Sequence, residues 1–333
     1  MNASKKMKAV VCTRYGSPDY LKILEVDLPQ PGNRDILVRV QASTVTTADT
    51  MMRRAQPFIS RFFLGFFKPK KPVTGTGFAG IVEAVGSAVS RFKIGDRVFG
   101  ETGVHFGANA EYLSLPEDAV VAPLPEQLNF AEAAPLTDGA LTSMNFLKNL
   151  GQIKAGQQVL VVGASGSLGA AAVQIAKHFG AKVTGVSSGK NIAFVQSLGA
   201  DRVIDYTVTD YTATGDRYDI VFDTAGKSSF GRSKRILKAG GRYLSPVLGF
   251  RLLFDMLRTS KSKGKKALFS ATGLLPHREL LDLLDGLRAI VQTGQYQPAV
   301  ERRYTLEQAA EAHRYADTGH KRGNLVLLTQ KPD

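Results

Sequence analysis

Cysteine is almost absent from this chain of 333 residues, and the single thiol is Cys12. One thiol cannot close an internal disulfide, nor can it build a structural zinc site of four cysteines. A reducing, cytoplasmic setting is the expectation. Long apolar runs are also missing: none approaches the ~20 consecutive apolar residues of a membrane-spanning helix. The opening stretch, Met1 to Val11, carries lysines but no long apolar region or small-residue cleavage site, so secretion is not expected. Acidic residues are in short supply, with 29 Asp and Glu against 43 Lys and Arg, a formal net charge of +14.

The positive charge concentrates in Arg53 to Lys71 and in Arg258 to Lys266 (RTSKSKGKK), the latter read as a mobile surface loop. Neither stretch holds a nucleic-acid motif or a recurring aromatic platform, so no nucleic-acid partner is expected. Phe58, Ile59, Phe62, Phe63, Leu64, Phe66 and Phe67 sit among the first group of cations. Such a segment has three uses: a weak peripheral membrane contact, the wall of an apolar substrate pocket, or core packing.

What is present is the composition of a folded globular protein, 44% hydrophobic and 22% charged, at a length that suggests two domains. The first third reads as β, with short runs at Met7–Thr13, Leu21–Val26, Ile36–Ala42, Gly80–Val85, Arg97–Phe99 and Glu111–Leu115. Pro and Gly punctuate them, a spacing that suggests a small barrel. Asn129 to Leu150 reads as mainly helical. Apolar strands then alternate with amphipathic helices: strand Gln158–Val162, helix Gly169–Phe179, strand Lys182–Val186, helix Asn191–Leu198. Strands at Arg202–Ile204, Ile220–Phe222 and Arg242–Leu244 follow. That alternation means a parallel sheet covered on both faces, an α/β fold. A helix at Glu279–Val291 and a strand at Asn324–Thr329 close the chain.

Between the strand Val159–Val162 and a strong helix former lies Gly163-Ala164-Ser165-Gly166-Ser167-Leu168-Gly169. It contains a G-x-G-x-x-G pattern with Ala164 in the first place. Small residues permit the tight turn, let the backbone approach a pyrophosphate and bring helix close to strand. The phosphates then meet free N–H groups at the positive end of the helix dipole. A nicotinamide dinucleotide is the implied cofactor. The NAD form usually requires an acid about 20 residues on, to hold the ribose 2′-OH. Here the chain has Ser187-Ser188-Gly189-Lys190-Asn191. Hydroxyls and a lysine suit a 2′-phosphate that a carboxylate would repel, so NADPH is expected.

Several further motifs accompany the loop: Gly80–Gly86 (GIVEAVG), Phe92–Gly100 (FKIGDRVFG), Ser197–Asp201, Val203–Tyr206, Phe222–Gly226 and Gly319–Leu327. With them the chain resembles, over nearly its whole length, the medium-chain dehydrogenase/reductase superfamily in its zinc-independent quinone oxidoreductase branch. The resemblance implies a GroES-like β-barrel catalytic domain of residues 1–123 and 275–333 and a Rossmann doubly wound domain of residues 124–274. It implies Ser187, Ser188, Lys190 and Tyr206 around the adenosine 2′-phosphate and Thr142 on the nicotinamide side. Asp223, Thr224, Ala225 and Leu244 would stand near the nicotinamide, and Arg322 and Asn324 near the phosphates. Relatives also imply a homodimer or a monomer.

Zinc-dependent members of the superfamily carry cysteine where this chain has Thr46, and His-Glu where it has Thr76-Gly77. Threonine is not a normal zinc ligand, so no catalytic metal is expected. The quinone branch usually has Asn-Pro-x-Asp where Thr46-Thr47-Ala48-Asp49 stands, keeping the acid as Asp49. Without metal, the hydride needs an acceptor that is already electrophilic, a quinone or the β-carbon of an α,β-unsaturated carbonyl. Orientation and hydrogen-bond donors at the developing enolate oxygen are then the protein's contribution. Thr46, Thr76 and Asp138 are the candidate polar groups, with Asp138 a possible acid if held protonated. The alternative reading is a cofactor-binding protein with little catalysis, peripherally attached to a membrane.

Overall fold

The computed structural model describes residues 5–56 and 58–330; the side chains of Ile59 and Phe63 also lie outside the described set. Fifteen strands and five helices of eight residues or more are found among the described residues. In chain order the strands are β1 (Lys6–Cys12), β2 (Leu21–Asp27), β3 (Asp35–Val45), β4 (Gly77–Val85), β5 (Arg97–Glu101), β6 (Tyr112–Pro116) and β7 (Val120–Pro123). Then come β8 (Gln158–Val162), β9 (Lys182–Ser187), β10 (Arg202–Asp205), β11 (Tyr218–Asp223), β12 (Leu237–Leu244) and β13 (Lys266–Leu268), followed by β14 (Val300–Thr305) and β15 (Asn324–Leu328). The longer helices are α1 (Thr47–Arg54), α2 (Ser167–His178), α3 (Phe250–Thr259), α4 (His277–Gln292) and α5 (Ala309–Asp317).

The chain forms two compact units, Met1–Asp138 with Pro276–Asp285 and Val300–Asp333, and Gly139–Leu275 with Gly286–Ala299. The division falls later than the expected change at 123/124. The turn Phe130–Thr137 packs on β3, β4 and β5 and so belongs to the first unit. Residues 286–299, expected with the chain ends, group with the second unit.

The first unit holds a seven-stranded sheet in the order β14-β15-β3-β4-β5-β7, with β6 also paired to β3, and the separate antiparallel pair β1-β2. All pairings of the larger sheet are antiparallel except β14 with β15. Its core is apolar, with Ile36, Val38, Val40, Phe78, Val82 and Val98 all buried. The second unit is a six-stranded, wholly parallel sheet in the order β10-β9-β8-β11-β12-β13. That order reverses direction between β8 and β11, the topological switch point of a doubly wound fold, where ligands bind beyond the carboxyl ends of the strands.

One expectation is corrected and another narrowed. The basic stretch Arg258–Lys266 is not one loop: α3 runs to Thr259 and Lys266 opens the edge strand β13, so backbone hydrogen bonding organises both ends. Of the three uses open to the Phe58–Phe67 segment, core packing does not fit its described rings. Phe58, Phe62 and Phe67 are 60%, 65% and 86% exposed, and their rings meet through Phe66 edge to face. Among the described residues no helix is long and apolar enough to cross a membrane. Cys12 is buried, its S–H donating to the Arg14 carbonyl, and burial raises the thiol pKa.

Helix α5 packs on α1 beside a buried charge cluster. The Arg53 side chain is enclosed and pairs with Asp317 at 2.5 Å, while Arg54 takes the other oxygen of the same carboxylate. His313 is fully buried next to this cluster, and neither ring nitrogen has a hydrogen-bond partner among the described residues. Burial, then the charge of Arg53, pushes its pKa down to about 3. The folded chain therefore holds His313 neutral, while the unfolded chain protonates it below its ordinary value of about 6.5. Between those values the unfolded state binds more protons, so this contribution to stability falls as the pH falls. Urea denaturation should show wild type losing about 2 kcal/mol more than His313→Leu between pH 7 and pH 5. Equal losses would contradict the assignment.

Candidate functional site

In the second unit, the chain leaves β8 at Val162 and turns through Gly163, whose φ of +80° suits glycine. The N–H groups of Gly163 and Ala164 both donate to the Val186 carbonyl, tying the loop to β9. Two glycines of the motif do different things. A Cβ on Gly169 would lie 2.1 Å from the Gly163 oxygen, so only glycine lets the first turn of α2 seat against the end of β8. A Cβ on Gly166 would meet nothing nearer than 3.7 Å, so packing within the protein does not demand glycine there. Gly166 is the N-cap of α2 and no side chain caps that helix end. An open N-terminus with a bare backbone in front of it fits a phosphate group. Thr142 lies on the short helix Gly139–Met144, held against this corner by Ser143 Oγ donating to the Leu168 carbonyl at 2.8 Å.

The carboxyl end of β9 supplies the second part. Ser187 is buried, Ser188 half-buried and Lys190 exposed. Asn191, which the motif reading left out of the site, links the two parts: its amide donates to Ser165 Oγ at 3.1 Å and to Ser188 Oγ at 3.3 Å. No spacing rule marks such a bridge; only the fold brings Ser165 and Ser188 together. Tyr206 follows β10 and is 58% exposed, its N–H held by the Ser187 carbonyl. An acid does stand nearby, Asp205, paired in register with Ser187. Its carboxylate accepts from Thr207 N at 2.9 Å and Thr207 Oγ1 at 2.7 Å and also lies against Gly189, and the Thr207 bonds hold its pKa below the usual range.

Across the switch point, Thr224 Oγ1 donates to the Val162 carbonyl at 2.8 Å, and Ala225 is exposed beside Gly163. Two expected contacts are closed to their side chains. Asp223 is fully buried, accepting from Ser228 N at 2.7 Å and from Tyr243 Oη at 2.9 Å; it shapes the loop that follows instead of facing outward. Leu244 is core, paired in register with Phe222 and Leu268, and the chain first becomes exposed at Val247.

The first unit gathers polar groups at one edge of its seven-stranded sheet. Thr46 directly follows β3 and caps α1: its Oγ1 accepts from Asp49 N at 3.0 Å and Asp49 Oδ2 accepts from Thr46 N at 2.8 Å. This reciprocal box buries both side chains. Thr76 is buried just before β4, and its carbonyl accepts from Thr102 N. At Gly77 a Cβ would lie 2.8 Å from Thr44 Oγ1 and 3.0 Å from Thr137 Oγ1, so the missing side chain lets the turn Ala134–Thr137 settle on the sheet. Asp138 follows directly. Gly77 pairs in register with Glu101, the last residue of β5. Thr44 is buried, and its hydroxyl has no hydrogen-bond partner among the described residues.

These acids influence one another. Burial, followed by the charges of Asp138 and Asp49, pushes Glu101 up to about 8. Burial, opposed by the Thr46 hydrogen bonds and assisted by Asp138, pushes Asp49 up to about 7. Lys321 lies within reach of the same charges; burial lowers its pKa against the pull of Asp138, Glu301 and Asp49. Its Nζ donates to the Gly323 carbonyl at 2.9 Å. Glu101 and Lys321 escaped the motif reading because a strand end and a loop acquire this neighbourhood only through the register of β4 with β5 and β15 with β3. Arg322 is exposed and ion-paired with Glu301, and Asn324 is buried at the start of β15. Among the described residues no group of three or more His, Cys, Asp or Glu side chains is placed to hold a metal.

The unequal demands on the two loop glycines are measurable. Gly169→Ala should cost about 2–3 kcal/mol in urea denaturation, because backbone must move. Gly166→Ala should cost no more than about 1 kcal/mol, the change in N-cap preference. Equal costs would contradict the packing assigned to Gly169.

Residues 32–126 match the alcohol dehydrogenase GroES-like domain, and residues 198–327 match the zinc-binding dehydrogenase family. Where zinc-dependent members of the superfamily place metal ligands, this chain has the hydroxyls of Thr46 and Thr76. The quinone oxidoreductase of Rattus norvegicus is 33% identical over 339 residues, 97% of this chain and 98% of that protein. The chloroplastic NADPH-dependent alkenal/one oxidoreductase of Arabidopsis thaliana is 29% identical, over 97% of this chain and 80% of its own. The solved structure of Escherichia coli quinone oxidoreductase complexed with NADPH matches with a TM-score of 0.82 at 26% identity, covering 96% and 99% of the two chains. The chain belongs to the quinone oxidoreductase family of the medium-chain dehydrogenases and reductases.

Proposed function

We propose that this protein is an NADPH-dependent oxidoreductase that passes hydride to a quinone or to the β-carbon of an α,β-unsaturated carbonyl. The observation that carries the reading is the end of β9, where Ser187, Ser188 and Lys190 stand beside an open helix N-terminus and the acid at the neighbouring strand end, Asp205, is engaged by two hydrogen bonds from Thr207. Hydroxyl donors and a cation attract a 2′-phosphate, and Lys190 is free to approach it because it is exposed. Relatives named for quinone and alkenal reduction support the acceptor class, and they favour this reading over a binding protein with little catalysis. A weak lipid contact of the exposed Phe58–Phe67 segment stays within the proposal, supported by the exposure of its rings.

When bound, NADPH supplies the hydride. The residues of the chain do the rest. Gly163–Gly169 and Thr224 position the pyrophosphate and the backbone around it; Asn191 keeps the phosphate loop and the β9 end in register with each other. In the first unit, Glu101, Asp49 and Asp138 form a set of carboxyls that retains a proton at neutral pH. A proton is what the enolate oxygen must receive once hydride has added, and a carboxyl whose pKa lies near the working pH transfers it most effectively. Thr46 and Thr76 flank this set as hydroxyl neighbours.

Two outcomes follow. Lys190→Ala should lower the NADPH over NADH preference in kcat/KM by about tenfold, the loss of one charge-assisted contact; an unchanged ratio would remove Lys190 from the site. In the pH profile of kcat, activity should fall as the pH rises through about 8, when Glu101 loses its proton. Glu101→Gln should abolish that limb. Asp138→Asn removes a neighbouring negative charge, so it should move the limb to lower pH. A limb that stays in place in both variants contradicts the proton assignment.

A further inference from the structure

Helix α3, Phe250-Arg251-Leu252-Leu253-Phe254-Asp255-Met256-Leu257-Arg258-Thr259, is apolar on two opposite faces. One face does the ordinary work of a helix in this fold. Leu252 is buried with the core of the second unit and Met256 packs against it. Thr259 Oγ1 donates to the Asp255 carbonyl at 2.7 Å and accepts from Ala267 N at 3.1 Å, stitching the helix to β13. The other face has no such explanation. Phe250, Leu253, Phe254 and Leu257, at spacing i, i+3, i+4 and i+7, are 96%, 44%, 63% and 70% exposed. At about 100° per residue they form one stripe roughly 100° wide. Val247 and Leu248, immediately before the helix, are half exposed as well.

Charge decides what covers this stripe. Between Val247 and Lys266 the only acid is Asp255, and it is buried. Arg251 and Arg258 border the stripe on one side, about 80–100° round the helix from Phe250, and Arg258 also pairs with the buried Asp255 carboxylate at 3.4 Å. Lys261 and Lys263 follow in the exposed turn after the helix. A second copy related by two-fold symmetry would set these cations against themselves. An anionic lipid surface accepts both features together: the apolar stripe enters the boundary between headgroups and acyl chains, and the cations meet phosphates and carboxylates.

We propose that α3 is a membrane-facing element, lying in the plane of an anionic bilayer with the Phe250–Leu257 stripe inserted and Arg251, Arg258, Lys261 and Lys263 on the headgroups. This surface is separate from the Phe58–Phe67 segment, and it was masked in the sequence by the basic run that follows it. The proposal concerns attachment alone and stands whether or not the reaction is the one proposed above.

The test is co-sedimentation of the full chain with vesicles of phosphatidylcholine alone and of phosphatidylcholine with about one third phosphatidylserine. Wild type should bind the anionic vesicles, release them at high salt, and leave the neutral ones largely unbound. Phe254→Ser with Leu257→Ser should weaken binding at least tenfold. Lys261→Gln with Lys263→Gln should weaken it about 25-fold, about fivefold for each cation. Both variants should melt like wild type and oxidise NADPH with a water-soluble quinone at the wild-type rate, since the altered side chains are exposed. Wild-type binding by both variants would overturn the proposal, as would binding that is lost only in Phe62→Ser with Phe66→Ser. A dimer that dissociates in Phe254→Ser with Leu257→Ser, or a collapse of quinone turnover in that variant, would also overturn it, by giving the stripe to a protein interface or to the acceptor site.

Discussion

The contact between Gly169 and the Gly163 carbonyl is the constraint on which the cofactor half of this protein depends. A helix can begin directly behind a buried strand only if its first turn carries no side chain toward the strand end, and here a single methyl would sit 2.1 Å from a carbonyl oxygen. That closeness aims the uncapped N-terminus of α2 out beyond the carboxyl edge of the parallel sheet, at the switch point between β8 and β11. The neighbouring parts are then placed by hydrogen bonds to the same corner: the loop N–H groups to Val186, Thr224 to Val162, and Asn191 to Ser165. The site is therefore a backbone structure with a few side chains attached. The proposed cofactor choice rests on those few, the hydroxyls and lysine after β9, with the Asp205 carboxylate engaged by Thr207.

The other half works by a different principle, the burial of acids that lie near one another. Glu101, Asp49 and Asp138 belong to a strand end, a capping box and a turn, and no motif unites them. The sheet register and the missing side chain at Gly77 bring their elements to one edge. Burial raises the first two carboxyls, Asp138 raises both further, Asp49 adds to the effect on Glu101, and Lys321 offsets part of the cost at Asp49. Asp49 illustrates how one residue serves two ends: it completes the cap of α1 and also takes part in the acid set.

Much of the second unit was legible in the sequence because its signals are local. A fully apolar strand, a run of small residues and an alanine-rich helix are adjacent in the chain, so β8, the loop and α2 could be read directly. The elements that escaped have their causes elsewhere. β14 (VERRYT) is charged on its outward face and gains its identity from pairing with β15; β13 is three residues of an edge strand inside a basic run. The cap of α1 was written in Thr46-Thr47-Ala48-Asp49, but its residues were weighed as substitutes for absent ligands and not as a helix start. Asp223 and Leu244 were placed near the nicotinamide by position in a motif, whereas burial turns both side chains away and leaves the following backbone exposed. Motif position locates a loop; packing decides which of its side chains faces out.

Hydride delivery to an electrophilic carbon without an alcohol intermediate is the central claim, and isotope transfer tests it most directly. NADPH carrying deuterium at both C4 positions of the nicotinamide, incubated with the enzyme and an alkyl enone, should give a saturated ketone bearing one deuterium on the carbon β to the carbonyl. Deuterium on the carbonyl carbon of an allylic alcohol, or cofactor that binds without any label reaching the product, would contradict the account.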